Sequence, residues 1–289
     1  MRVLSGKPDT HDAPRYCIRA ATSADMKTHQ QPRIWNITQS DILWEDDYLV
    51  AVNKPAGIPS QPTPDRTRDN CYDAVIRYLQ QQRGNNAYAG LHHRLDVLTS
   101  GVIVLTKSPE ANRGMAAQFQ SHTIQKVYCA ICISALQPVL QDNIAPADPF
   151  SGEPFEIRAP IGEVPDQKIQ KFCIGGKHRK PADTEFVCED HMRLRDGHLS
   201  VFSCKPHTGR THQIRVHLSS IGLPIAGDPL YGMPLLRSLR SIDPQRMCLH
   251  AESIAFEHPI SHEMLTITAP QPKGFREFVE KARRLSQTL

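Results

Sequence analysis

The chain has 289 residues, of which 39% are hydrophobic and 22% are charged, and its formal net charge is +4 at pH 7. This length suffices for one large domain or two small ones. It contains no run of about 18 apolar residues, which argues against a membrane protein. The mildly positive charge is compatible with a polyanionic partner without requiring one.

The first 36 residues are polar and rich in Lys, Arg, His, Thr and Pro. Because this segment lacks the apolar centre of a secretory signal, we predict a polar N-terminal arm over 1–36 and a cytoplasmic protein. The chain has eight cysteines, and without a leader they indicate reduced thiols rather than a disulfide framework. A single domain is predicted over 37–289.

The first half of this domain is predicted to combine short strands with two helices. The strands are predicted at 42–45, 48–53, 102–106 and 126–134. Helices are predicted at 71–82 and 109–121 from the spacing of their apolar residues. The second helix has Ser108 as its N-cap and Pro109 at its first position, where proline is favoured.

The second half begins with a proline-rich stretch, 135–156, which we predict to be a loop or a short insertion. Further strands are predicted at 184–189, 199–204, 251–257 and 264–268. Helices are predicted at 210–220, which ends before Gly222, and at 273–285. Because strands and helices do not alternate regularly and many turns are short, we predict an α+β fold with a mixed, mostly antiparallel central sheet flanked by helices and loops.

Several familiar binding motifs are absent or poorly spaced. The chain has no G-x-G-x-x-G and no G-x-x-x-x-G-K-[ST] sequence, which excludes the common dinucleotide and P-loop sites. Cys129 and Cys132 are three residues apart in a predicted strand, so their side chains point to opposite faces. His207, His212 and His217 are five residues apart, which on a helix turns successive side chains by about 140°. We therefore predict no metal and no cofactor.

Asp96 is the candidate reactive carboxylate. It follows His93 and Arg94 and precedes a Thr-Ser-Gly turn and an apolar strand. A simple turn is the alternative explanation, because Asp, Ser and Gly all favour turns. A serine nucleophile is not supported, since no G-x-S-x-G sequence is present. A carboxylate must stay ionised to react at neutral pH, and a paired guanidinium favours that form. Arg215 is the candidate partner.

Basic residues concentrate in two segments, 168–180 and 205–217. The first segment contains Lys168, Lys171, Lys177, His178, Arg179 and Lys180. The second contains Lys205, His207, Arg210, His212, Arg215 and His217. Either segment could follow a phosphate backbone. The alternative for each is an ordinary solvated face.

Several short sequences also follow one another in a defined order. They are VNKPAG at 52–57, HRLD at 93–96 with TSG at 99–101, KVY at 126–128, HTGRTHQIRVH at 207–217, GD and YG within 227–232, and LHA, Phe256 and HP within 249–259. Together they resemble the RluA family of RNA pseudouridine synthases over most of the chain. The resemblance implies a pseudouridine synthase catalytic domain over 37–289, which isomerises uridine to pseudouridine in RNA without a cofactor or metal.

The resemblance also implies roles for individual residues. Asp96 matches the catalytic aspartate, Tyr128 the aromatic residue that packs on the target base, and Arg215 the basic partner of the aspartate. Arg94 matches an arginine that displaces the target nucleotide. The predicted RNA-binding residues are Lys54, His93, Arg94, Arg210, His212 and Gln213. Asp96 is expected to attack the sugar C1′, to attack the base, or to remove a ribose proton, and the sequence leaves these three routes open.

Two departures from the family pattern concern RNA selection. Val97 and Leu98 are apolar where relatives often carry charged residues. The arm at 1–36 is too short and polar for the S4 RNA-binding domain of many relatives, so selection is expected to rest on the catalytic domain, with a contribution from 168–180. Ribosomal RNA and transfer RNA are both compatible, and the lack of a separate RNA-binding domain favours transfer RNA or a short stem-loop.

Two alternatives from other classes remain at this point. One is a catalytically silent RNA-binding module with the same fold, and the other is a metal-dependent hydrolase that uses the histidines. The oligomeric state is not determined by the sequence.

Overall fold

The computed structural model describes residues 34–288 except for 66, 137–143, 145, 147 and 168. Most of the predicted arm, 1–33, lies outside the described residues, as does Lys168 of the predicted basic segment. The described α-helices are all too short or too polar to cross a lipid bilayer.

The described residues contain thirteen strands and four α-helices. The strands are β1 (Ile42–Glu45), β2 (Leu49–Lys54), β3 (Gly90–Leu91), β4 (Ser100–Thr106), β5 (Gln125–Ser134), β6 (Phe155–Arg158), β7 (Ile161–Glu163), β8 (Phe172–Ile174), β9 (Lys177–Lys180), β10 (Asp183–Leu194), β11 (Gly197–Pro206), β12 (Leu249–Glu257) and β13 (Met264–Thr268). The helices are α1 (Cys71–Arg83), α2 (Pro109–Gln120), α3 (Gln213–Ser220) and α4 (Lys273–Ser286).

Ten strands form one central sheet in the order β1-β2-β4-β12-β5-β11-β10-β6, with β3 beside β4 and β13 beside β12. Within the described residues, β4 and β12 pair in parallel and the other strand pairs are antiparallel. The α+β class with a mixed, mostly antiparallel sheet is therefore confirmed. Gly101 permits the parallel contact, because its φ is +120° and a Cβ atom there would overlap the Ala251 backbone.

Strands β2 and β4 are apolar on both faces because helices cover both faces. On one face, Val75 and Leu79 of α1 pack with four alternating strand residues, namely Val50, Val52, Ile103 and Leu105. On the opposite face, Ala111 and Met115 of α2 pack with the other four strand residues, namely Leu49, Ala51, Val102 and Val104. Every residue of β4 is buried. The strand that follows Asp96 is thus held from both sides, which gives the preceding loop a rigid support.

The helix ends follow the capping expectations in the first half of the chain. The Ser108 side chain accepts a hydrogen bond from the backbone N–H of Ala111, with Pro109 at the first helical position. The Asn70 side chain accepts from Asp73 at the start of α1. These contacts satisfy backbone donors that a helix start leaves unpaired.

The third helix begins three residues later than predicted, at Gln213 rather than at 210. His212 has a φ of +58°, in the left-handed region, so the helix cannot extend back through it. His207 and His212 therefore do not lie on the helix with His217, and the predicted helical geometry of the three histidines is wrong.

A second sheet was missed from the sequence. Its strands are β7, β8 and β9 in the order β8-β7-β9, and we refer to residues 161–180 as the small sheet. It packs on α3 through a cluster that includes Ile161, Val216 and Tyr231. Its strands have only three or four residues, which is too short for a clear alternation of apolar and polar positions. The predicted strands at 184–189 and 199–204 are also longer, extending over the full β10 and β11.

Candidate active site

A cleft of about 320 Å³ lies where the loop before β4, strand β5 and the segment before α3 meet. Of the nine site residues predicted from the sequence, eight line it, namely His93, Arg94, Asp96, Tyr128, Arg210, His212, Gln213 and Arg215. Lys126, Phe119 and Thr208 are among its other lining residues. The tertiary structure thus brings residues from three distant parts of the chain to one place.

The backbone on both sides of Asp96 is tethered to the segment after β2. Ser60 Oγ donates to the Leu95 carbonyl at 2.8 Å and accepts from the Leu95 N–H at 2.9 Å. On the other side, the Val97 carbonyl accepts from the Gly57 N–H at 2.7 Å. Because both flanking residues are held, the direction of the Asp96 side chain is set by the fold.

Lys54 contributes to the same support from inside the protein. Its side chain is fully buried, and its Nζ donates to the carbonyls of Pro55 at 3.0 Å, Ile58 at 2.7 Å and Val97 at 3.4 Å. Burial lowers the pKa of Lys54 to about 8, against the opposing effects of Cys71 and Asp96. The ammonium group therefore holds the 55–58 turn to the residue after Asp96.

Arg215 lies between two carboxylates. Its Nε and Nη2 donate to Asp228 Oδ2 and Oδ1 at 2.7 and 2.8 Å, and its Nη1 donates to Asp96 Oδ2 at 2.9 Å. The Asp228 side chain is fully buried, whereas that of Asp96 is 18% exposed. Burial alone lowers the pKa of Arg215, but the bonds with both carboxylates outweigh burial and raise that pKa above its ordinary value. Arg215 is thus a permanent cation beside Asp96.

Asp228 binds the Nε–Nη2 edge of Arg215, and one further nitrogen, Nη1, donates to Asp96. Asp228 is itself fixed by the backbone N–H groups of Leu230 and Tyr231, which donate to its Oδ1. Among the described residues, Asp96 Oδ1 has no hydrogen-bond partner. The arrangement therefore leaves one oxygen of an ion-paired carboxylate open to the cleft.

His212 and Tyr231 form the wall beside this ion pair. The Tyr231 hydroxyl accepts from the Phe172 N–H at 3.0 Å and lies 2.9 Å from His212 Nδ1. We assign the hydroxyl as the donor to Nδ1, which places the imidazole proton on Nε2, 3.9 Å from Asp96 Oδ2. Burial lowers the pKa of His212, while the nearby Asp96 opposes this effect. The Arg215 guanidinium also stacks over the Tyr231 ring at 5.0 Å.

Tyr128 lies on β5 and lines the cleft. Burial raises the pKa of its hydroxyl, and Asp96 raises it further, so the ring stays neutral at any physiological pH. Its hydroxyl makes no hydrogen bond within the part of the chain that the structure describes. Tyr128 therefore brings to the cleft an aromatic ring and a neutral hydroxyl that has no partner among the described residues.

His93 and Arg94 are neighbours in the chain, but the His93 side chain is packed against the protein and the Arg94 side chain is exposed to solvent. His93 Nε2 accepts from the Val104 N–H at 3.0 Å, its ring stacks on Phe119 at 5.0 Å, and burial lowers its pKa to about 3. It is a neutral structural side chain at the base of the cleft. Arg94 is exposed and carries its charge at the rim.

Two predicted RNA-binding residues are placed inside the protein instead. Lys54 is fully buried, as described above, and Gln213 is only 4% exposed. Gln213 Oε1 accepts from the Thr208 hydroxyl and the Arg210 N–H, and its Nε2 donates to the Asp183 carbonyl and the Thr184 hydroxyl. With every donor and acceptor of the amide used, Gln213 is positioned to shape the loop before α3 rather than to contact RNA.

Arg210 is held by the segment that leaves the small sheet. Its Nε donates to the Pro181 carbonyl at 2.8 Å. This bond fixes the stem of the side chain at the edge of the cleft. The predicted RNA contacts of Arg94, Arg210 and His212 are compatible with their positions and remain predictions.

His207 lies apart from His212 and His217, close to Glu156 and Glu185. The two carboxylates already pair with cations, Glu156 with Arg158 and Glu185 with Lys205. Ion pairing thus accounts for this group.

The seven cysteines within the described residues are free thiols, and burial raises the pKa of Cys129 to about 12.

Asp228 and Tyr231 are the main site residues to which the sequence interpretation gave no role, although both lie in quoted motifs. One signal was present in the sequence. Asp228 is the only Asp, Glu, Lys or Arg between Arg215 and Arg237. A lone carboxylate in such a segment, if buried, needs a cation as its partner, and the two that flank the segment are Arg215 and Arg237. Ser60 carried no comparable signal, because its partner is a backbone group 35 residues away.

The fold and the cleft together define an enzyme site that pairs a carboxylate with a fixed cation. Residues 48–220 match the RNA pseudouridylate synthase family. The chain is 35% identical over 225 residues to the dual-specificity RNA pseudouridine synthase RluA of Haemophilus ducreyi, covering 78% of this chain and 90% of that protein. It is 32% identical over 242 residues to the ribosomal large subunit pseudouridine synthase D of Zymomonas mobilis, covering 82% and 70%.

The chain therefore belongs to the RNA pseudouridylate synthase family and is an isomerase that acts on RNA, which confirms the resemblance noted in the sequence. Solved structures agree on the fold. Human RNA Pseudouridylate Synthase Domain Containing 4 superposes with a TM-score of 0.63 at 22% identity, covering 84% of this chain and 93% of that one. Human RNA Pseudouridylate Synthase Domain Containing 1 gives a TM-score of 0.58 at 25% identity, covering 80% and 83%.

Proposed function

We propose that Asp96 supplies the reacting carboxylate for converting uridine to pseudouridine in a structured ribosomal or transfer RNA. The observation that carries this proposal is the 2.9 Å pair between Asp96 and Arg215 in a cleft that Tyr128 also lines. Arg215 pairs with the carboxylate, and Tyr128 packs against the uracil ring.

The reaction needs no redox partner and no added water. The N1–C1′ bond breaks, the uracil turns, and a C5–C1′ bond forms, while C5 loses a proton and N1 gains one. Substrate and product are isomers, so atoms and electrons balance. Asp96 Oδ1 is the free oxygen for this chemistry, whether it attacks C1′, attacks the base or removes a ribose proton. All three routes require an ionised carboxylate with one oxygen unoccupied.

The cleft dimensions support action on an extruded nucleotide. Its volume of about 320 Å³ lies at the lower end of the ~300–1,000 Å³ range of small-molecule pockets. It suits one nucleotide and not a helix. A base in a stem must leave its stack to be reached. The exposure of Arg94 supports its proposed contact with the RNA that the flipped nucleotide leaves behind.

The RNA class rests on the names of two relatives. One relative is called a dual-specificity RNA enzyme and another a ribosomal large subunit enzyme. Both names are compatible with a uridine in a stem-loop. We therefore propose a stem-loop of ribosomal or transfer RNA as the substrate.

The test is pseudouridine mapping by carbodiimide adduct and primer extension in total RNA. Cells with the gene, cells without it, and deletion strains complemented by wild type or Asp96→Ala are compared. We expect at least one site to be lost on deletion and restored by wild type alone, which would also identify the RNA. Restoration by Asp96→Ala would overturn the role of Asp96. A pattern unchanged by deletion would instead favour a catalytically silent RNA-binding module.

A further inference from the structure

The edge of the small sheet carries a row of exposed cations. Strand β9 consists of Lys177, His178, Arg179 and Lys180, and all four residues are exposed. It is an edge strand, because the order of the small sheet is β8-β7-β9. Both faces of this strand therefore present basic side chains to solvent.

The basic side chains of β9 have no acidic partner, unlike two nearby cations. Arg158 pairs with Glu156 and Asp183, and Lys205 pairs with Glu185. Within the described residues, no carboxylate lies within ion-pair distance of a β9 side chain. The positive charge of β9 is thus uncompensated, as expected for a surface that meets a polyanion.

The small sheet, together with Pro181 just after it, contacts residues around the cleft at three points. Pro181, the residue after β9, accepts the hydrogen bond from Arg210 at the cleft edge. In β8, the Phe172 ring meets the His212 ring edge-on at 5.6 Å. The Lys171 ammonium also lies over the Tyr231 ring at 5.5 Å. Lys171 and Arg210 therefore add positive charge where the small sheet meets the cleft.

We propose that β9 is the docking surface for the phosphate backbone of the RNA stem that carries the target uridine. This inference rests on the proposed function for the identity of the polyanion. A double-stranded RNA stem displays a regular double row of phosphates, and a row of unpaired cations on a strand edge complements it. Docking there places the stem beside Arg210 and His212, so that a nucleotide flipped from it enters the cleft.

Edge strands also carry lysines for another reason, which is to prevent pairing with a second copy of the protein. The test must separate the two roles. It compares the triple variant Lys177→Gln/Arg179→Gln/Lys180→Gln with a control triple variant that removes the same charge from exposed positions of α4. The control changes are Arg276→Gln, Lys281→Gln and Arg284→Gln.

Two readouts are measured for each variant. The first is the affinity for bulk transfer RNA by filter binding at several NaCl concentrations, which needs no catalysis. The second is KM and kcat on the stem-loop identified by mapping. For the β9 variant we expect about tenfold weaker binding, a slope of log affinity against log salt smaller by about two, and a higher KM with kcat retained at saturating RNA. The α4 control is expected to change binding less than about twofold.

Three outcomes would overturn the docking surface. Equal weakening in both triple variants would show an effect of net charge alone. Unchanged RNA binding in the β9 variant would remove the surface from the interaction. Unchanged binding together with a larger species by light scattering would assign the β9 cations to protection of the strand edge. Because filter binding does not depend on Asp96, failure of the proposed catalytic role leaves this test intact.

Discussion

Arg215 donates to Asp96 through a single nitrogen, Nη1, while its Nε and Nη2 bind both oxygens of Asp228. A bidentate pair with Asp96 would occupy both oxygens of the carboxylate that is proposed to react. Asp228 holds the Arg215 charge close to Asp96 in an orientation in which Oδ1 of Asp96 has no partner among the described residues.

Asp96→Asn and Asp228→Asn are a matched pair, since each removes one carboxylate charge from Arg215. Asp96→Asn should change the free energy of unfolding by no more than about 1 kcal/mol, because Asp228 still holds Arg215. Asp228→Asn should cost about 3–5 kcal/mol, because it breaks a fully buried pair. Urea unfolding measures both changes.

The same pair should differ in activity. Asp96→Asn is expected to abolish product. Asp228→Asn is expected to lower kcat about tenfold and to leave KM little changed, because Arg215 turns its free edge toward Asp96. The kinetics are measured at a temperature where circular dichroism shows that the variant is folded. Equal stability losses in the two variants would contradict the assignment of Asp228 as the main anchor of Arg215.

Tyr128→Phe and Tyr128→Ala separate the ring of Tyr128 from its hydroxyl. Stacking of a base on an aromatic ring contributes about 1–3 kcal/mol. Tyr128→Phe retains the ring and should keep kcat/KM within about threefold, whereas Tyr128→Ala should lower it by about 10- to 100-fold. Steady-state kinetics on the mapped stem-loop measure both. If the two variants are equally defective, the hydroxyl rather than the ring is the essential group.

Ser60→Ala tests the tether of the Asp96 backbone. It removes both hydrogen bonds to Leu95, at 2.8 and 2.9 Å, and leaves a buried carbonyl and N–H unpaired. We expect a loss of about 1–3 kcal/mol in unfolding free energy and about threefold to tenfold lower kcat, because Asp96 loses its orientation. Ser151→Ala is the control, since Ser151 is exposed and should change neither quantity. A normal kcat in Ser60→Ala would show that the tether does not orient Asp96.

Lys54 should make the stability of the protein depend on alkaline pH. Its pKa is lowered from 10.5 to about 8 by burial. Between these values the unfolded chain binds more protons than the folded protein, so the free energy of unfolding of the wild type increases as pH rises.

This contribution is missing in Lys54→Met. The free energy of unfolding of the wild type minus that of Lys54→Met should therefore increase by up to about 1.4 kcal/mol per pH unit between the two pKa values of Lys54, about 8 and 10.5. Below this range the difference should stay constant. Urea unfolding of both proteins at pH 7, 8, 9 and 10 measures the difference. A difference independent of pH would mean that burial does not lower the pKa of Lys54 in the folded protein.

Local patterns predicted those elements whose signals lie within a few residues. The cap of α2 at Ser108 and Pro109 was confirmed, as were the first two strands and the pair β12 and β13. The small sheet was missed, because part of it depends on close backbone packing between Gly162 and Gly176. Neither position has room for a side chain, so the contact leaves no apolar pattern in the sequence. The start of α3 was misplaced, because His212 adopts a left-handed conformation that the Gln213 side chain supports by bonding Arg210.

The sequence by itself determined the α+β class, the family, and the pairing of Asp96 with a guanidinium, because each rests on residue types in a recognisable order. Only the tertiary structure decided which side chains are available to RNA. Lys54 and Gln213 look like surface contacts in the sequence but are buried with their polar atoms bonded to protein. Burial depends on packing between distant segments, and so does the contact of Asp228 with Arg215 that leaves one oxygen of Asp96 free.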